Sequence, residues 1–154
     1  METIIKKRLP LFLSEKARVM ISNVIVSLFI LLFIYTATSK IFTFRDFDNV
    51  LHAVPIFGPF HLIIAVAIIA AEIIIGALLI IPLTKKAGLY ATLVILIIFT
   101  VYLTYMVSFE TRLPCSCGGI LAQLSWKDHI WLNILLVILA GFGILTNPYI
   151  KQQL

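Results

Sequence analysis

Four stretches of this chain, at about residues 19–38, 60–81, 88–109 and 129–146, are almost uninterruptedly apolar, and no other feature restricts the fold as strongly. Each is long enough to cross a hydrocarbon core, which takes about 20 residues within a range of about 17 to 25. A soluble core built from 154 residues could not bury so many apolar side chains. Charged residues make up only 12% of the chain, against about 25% in ordinary soluble domains, and the mean hydropathy is +1.12. A water-soluble globular domain is excluded. Lipid offers backbone groups no partners, and four isolated segments cannot close a barrel, so every span is expected to be an α-helix. The expected fold class is all-α, a four-transmembrane-helix bundle.

The net charge of +5 reflects membrane topology rather than nucleic-acid binding, because the basic residues cluster at the ends of the apolar runs. Lys6, Lys7, Arg8, Lys16, Arg18, Lys85, Lys86 and Lys151 fall on one side, while Lys40, Arg45, Arg112 and Lys127 fall on the other. The richer side is expected to be cytoplasmic, which puts both termini on the cytoplasmic side of a bacterial inner membrane. The first span is too long for a signal h-region and no small-x-small cleavage site follows it, so it is read as retained. The domain organisation is a basic cytoplasmic segment (1–18), a membrane domain (19–146) and a short cytoplasmic tail (147–154). Trp126, Trp131 and Tyr149 suit interfacial anchoring of the fourth span.

Two longer loops then face outward. The first alternates Phe42, Phe44, Phe47, Val50, Leu51 and Val54 with Arg45, Asp46, Asp48 and His52. That pattern predicts a short helix lying in the interface, ended by Pro55 and the Gly58-Pro59 turn. The second carries Pro114-Cys115-Ser116-Cys117-Gly118-Gly119, with the only two cysteines of the chain. On an oxidising side of the membrane the pair can form a disulfide. A bridge over one intervening residue closes a very small ring, and strained disulfides are the more oxidising ones. Cys115 and Cys117 are therefore the candidate catalytic pair, the alternatives being a local structural bridge or two thiols that never turn over. Thiolates also favour Cu(I) or zinc, with His52, His61 or His129 as further ligands. Nothing in their spacing enforces convergence, and no metal site is expected.

Glu72 interrupts the second span. A carboxyl at that depth costs several kcal/mol unless it is neutral, hydrated or paired, which makes it a functional candidate by default. The competing role is a polar clasp between helices, aided by Gly76 one turn later. Lys40 ends the first span and is read as snorkelling outward, the alternative being a turn back into an inter-helix cavity. Tyr35, Tyr102 and Tyr105 lie in the outer halves of the first and third spans, where they could line a ligand pocket with Lys40 or simply belong to an aromatic belt. Asn133 suits an interhelical hydrogen bond, and His61 is read as an ordinary interfacial histidine.

Taken together, a first helix ending in Ser39-Lys40-Ile41, a second containing Glu72 and Gly76, and Cys115-x-Cys117-Gly118 between the third and fourth resemble the MauE/DoxX-like family of redox-associated membrane proteins. The resemblance covers about residues 19–146. It implies a four-helix bundle and a link, as in methylamine utilisation, to disulfide maturation alongside a thioredoxin-like extracytoplasmic partner. It also implies that Cys115 and Cys117 hold the place of the family's paired cysteines, Lys40 that of its helix-end lysine and Glu72 that of its intramembrane carboxylate. The leading functional expectation is a thiol–disulfide redox component, with a quinone near Tyr35, Lys40 and Glu72 as a candidate cofactor. Other readings are a non-catalytic assembly factor or anchor, and a small proton-coupled transporter that uses Glu72.

Overall fold

The computed structural model describes residues 14–54, 57–109 and 126–147. They form α1 (Glu15–Phe42), α2 (Phe44–His52), a 3-10 turn (Gly58–Phe60), α3 (His61–Ile80), α4 (Lys85–Phe109) and α5 (Trp126–Thr146). There is no strand among the described residues. All of these helices except α2 are long and apolar enough to cross a membrane, and the chain is a multi-pass membrane protein of the expected all-α class.

Helix ends follow local chemistry. Ser14 caps α1 by accepting a hydrogen bond from the Ala17 amide at 3.3 Å, and Glu15 and Lys40 sit at the ends where the helix dipole favours them. These residues carry α1 beyond the apolar run at both ends. Thr43 then turns the chain from α1 into α2, its amide and its hydroxyl both donating to the Ser39 carbonyl. At the opposite end of the bundle a tight connection joins α3 to α4. There the Thr84 hydroxyl donates to the Leu78 carbonyl at 2.8 Å, and Pro82 prevents α3 from continuing.

The spans form a closed ring in which α1 packs on α3 and α5, and α4 completes the circuit between them. The core runs along the axis: Ile25, Val26, Phe29 and Phe33 of α1 meet Ile75 and Leu79 of α3, Leu89 and Leu96 of α4, and Leu136 and Ala140 of α5. The outward faces are apolar as well, with Leu31, Ile63, Ile98, Val101 and Ile138 all exposed, as lipid contact requires. Buried and half-buried hydroxyls cause no conflict with lipid, because they bond back along their own helices: Thr92 to the Gly88 carbonyl, Thr100 to Leu96 and Thr146 to Phe142.

Two glycines set how closely the ring closes. A Cβ at Gly88 would sit 2.9 Å from Leu79 Cδ2 and 3.1 Å from the Leu78 backbone, and one at Gly143 would sit 2.9 Å from Ile25 Cγ2. Gly76 is less demanding than its place below Glu72 suggests, since its nearest neighbour, Phe33 Cβ, lies at 3.8 Å. We therefore expect Gly88→Ile to cost about 1–3 kcal/mol through overpacking in mixed-micelle unfolding. Gly141→Ala, with open space around the new methyl, should change stability by less than about 0.5 kcal/mol.

Candidate functional site: a buried ion pair under an interfacial helix

Lys40 does not snorkel. Its Nζ donates to Glu72 Oε1 at 2.7 Å, and both side chains are about nine-tenths buried. Helix direction explains the inward turn. Side chains tilt toward the N-terminus of their own helix. The helices α1 and α3 are antiparallel, so Lys40 leans back toward mid-membrane while Glu72 leans up toward the end of α1. Each charge meets its partner at a depth where neither could remain alone.

The surroundings complete a polar centre at the Lys40 end of the bundle. One turn deeper on α1, the Thr36 hydroxyl lies beside the Glu72 carboxylate and donates to the Phe33 carbonyl at 3.3 Å. Across the ring, His129 of α5 is buried and feels the Lys40 charge, and its ring packs 6.2 Å from that of Phe99 on α4. Asn133, one turn below His129 on the same helix, is also buried. Among the described residues two buried polar atoms have no hydrogen-bond partner, Glu72 Oε2 and Asn133 Nδ2.

The predicted interfacial helix is present as α2, and it roofs this centre. Phe47 places its ring 5.6 Å from Lys40 Nζ, within cation–π range. Leu51 and Val54 are buried. Asp48 Oδ1 lies 2.6 Å from His61 Nδ1 at the start of α3, and His52 packs edge-on against His61 with ring centroids 4.8 Å apart. So His61 fastens α2 to the bundle, and the amphipathic pattern of α2 with an acidic residue facing the span was the only sequence signal for it.

The other sequence candidates are dispersed. Tyr35 and Tyr105 lie on the exposed surface of the bundle, while Tyr102 packs against Phe57 and Phe99 with centroids 5.6 and 6.1 Å away. Cys115 and Cys117 lie outside the described residues. No group of three or more His, Cys, Asp or Glu side chains among the described residues could hold a metal ion.

This arrangement defines a class: a four-helix membrane protein with a charged pair sealed into one end of the bundle. The class can be narrowed, because residues 18–146 match the family Methylamine utilisation protein MauE, and the chain belongs to that family. No curated protein and no solved structure matches the chain.

If Asp48 and His61 fasten α2, loss of their bond should free the roof without unfolding the spans. Asp48→Asn or His61→Leu should speed amide exchange in residues 44–52 several-fold, as expected for a bond worth about 1 kcal/mol. Exchange in residues 65–79 should stay unchanged, as measured by hydrogen–deuterium exchange mass spectrometry in nanodiscs.

Proposed function

We propose that the protein is a thiol–disulfide component of the bacterial inner membrane, with both termini in the cytoplasm. In this reading Cys115 and Cys117 form a bridge that accepts electrons from a thioredoxin-like extracytoplasmic partner. Attack by a partner thiolate opens the bridge through a mixed disulfide. A second partner thiol then releases the partner in oxidised form and leaves the chain's own pair as a dithiol. The observation that carries the reading is the coincidence of ends. The helix α4 finishes at Phe109 and α5 begins at Trp126, and these helices bring Phe99, Tyr102 and His129 to the same end as Lys40 and Phe57. The segment bearing the cysteines thus connects to the bundle at the end that holds its buried ionisable side chains, Lys40, Glu72 and His129.

Membership of the MauE family supports the same reading, as does the basic-residue asymmetry, which assigns that end to the non-cytoplasmic side. A transporter fits less well, because a coupling carboxylate has to be released during its cycle and Glu72 is tied to a lysine at 2.7 Å.

Alkylation mass shifts on the membrane-embedded protein test the proposal. We expect a reducible Cys115–Cys117 bond with a potential well above about −300 mV, the region of inert structural disulfides. Cys115→Ser or Cys117→Ser should halt turnover and leave one thiol able to trap a partner as a mixed disulfide. Two permanently free thiols, or a bond that resists mild reductant, would move the assignment to a non-catalytic assembly factor.

A further inference from the structure

All three histidines of the chain, His52, His61 and His129, lie at the Lys40 end of the bundle. Histidine is the side chain whose charge commonly changes between about pH 5 and pH 8, and one of the three is built into the fastening of α2.

The geometry gives α2 a hinge and a latch. Thr43, with φ −107° and ψ 35°, breaks helical geometry between α1 and α2. Beyond it, Asp48 Oδ1 of α2 lies 2.6 Å from His61 Nδ1 of α3, and both side chains are about three-quarters buried. Phe47, next to Asp48, carries the ring that lies 5.6 Å from Lys40 Nζ. The residue that covers the ammonium is thus adjacent to the residue that holds the helix down.

A carboxylate can only accept, so His61 Nδ1 carries the proton and donates it. The bond forms with a neutral or a charged ring, but the charged ring adds a full ion-pair attraction to a partly buried carboxylate. One neighbour opposes this. His52 packs edge-on against His61 with centroids 4.8 Å apart, and two charged rings repel. His52 is exposed, however, so water and salt screen its charge, whereas Asp48 is in direct contact. The attraction prevails. The latch is therefore strongest at low pH, and its extra strength is lost as pH rises through the titration of His61.

Other ionisable groups on the surrounding helices are engaged elsewhere or face outward. Lys40 of α1 is held by Glu72 of α3, His129 of α5 packs on Phe99 of α4, and Tyr102 of α4 packs on Phe57 and Phe99. Arg45 and Asp46 of α2, Lys127 and Asp128 of α5, and Tyr35 and Tyr105 are exposed.

We propose that α2 is a pH-sensitive lid over the Lys40 end of the bundle, hinged at Thr43 and latched by Asp48 against His61, which tightens as pH falls and loosens as pH rises. Phe47 moves with the lid, so a loose α2 also uncovers the Lys40 ammonium. The device stands independently of the thiol–disulfide reading; under the topology proposed above it senses pH outside the cytoplasm.

Hydrogen–deuterium exchange of the full chain in nanodiscs tests the lid, run at about pH 5.5 and about pH 8 to bracket histidine titration and corrected for the intrinsic pH dependence of exchange. Residues 44–52 should be about three- to fivefold better protected at the lower pH, the upper range for an ion pair at a protein surface. His61→Leu and Asp48→Asn should each abolish the difference, whereas His52→Ala and His129→Gln should retain it. Protection of residues 65–79 reports whether the spans stay folded. Asp48→Asn leaves all three histidines and every span residue in place, so it decides the matter if His61→Leu loosens the bundle. Wild-type protection that is equal at both pH values or greater at the higher one would overturn the proposal. So would a difference that survives Asp48→Asn, or one that disappears with His52→Ala or His129→Gln while the spans stay protected.

Discussion

A lysine and a glutamate facing each other inside a membrane bundle hold this structure in register. Neither charge is tolerable alone at that depth, so the Nζ–Oε1 contact of 2.7 Å fixes how α1 and α3 slide past each other. Much else follows from that register. Phe33 comes to face Gly76, the axial core below it interlocks, and the end of α1 is placed so that Thr43 can turn the chain directly into α2. The pair is costly to bury, and a well-packed apolar pair could serve stability as well.

The molecule separates its polar groups by how they are satisfied. Threonine hydroxyls along the spans bond to their own helices and present lipid or core with no demand. The buried ionisable side chains Lys40, Glu72 and His129 are gathered at one end, where α2 covers Lys40 through Phe47 and is fastened by Asp48 and His61. The redox role proposed above would place its chemistry near that end, because the cysteine segment joins α4 to α5 there.

The helices were legible in the sequence because length and apolarity alone decide what can cross a bilayer, and the amphipathic run from Phe44 to His52 announced α2 in the same way. Side-chain partnership was not legible. Lys40 and Glu72 are 32 positions apart, and from sequence each was an isolated polar residue, one read as snorkelling and the other as an intramembrane candidate. Their union depends on helix direction and register, which no local pattern encodes. The Asp48–His61 contact was hidden for the same reason, spanning a turn between two elements. Gly76 misled in the opposite sense: its spacing from Glu72 suggested a close helix approach, whereas the tight contacts fall at Gly88 and Gly143, where only the assembled ring shows what a side chain would strike.

The most direct test of the account is a double-mutant cycle on the ion pair, read by equilibrium unfolding in lipid micelles. Removing either charge, by Lys40→Met or Glu72→Leu, should cost about 3–5 kcal/mol by leaving the other uncompensated. The double variant should recover much of that loss, giving a coupling energy of at least about 2 kcal/mol. Additive single losses with coupling near zero would show that the two residues do not act as one buried unit and would contradict the account.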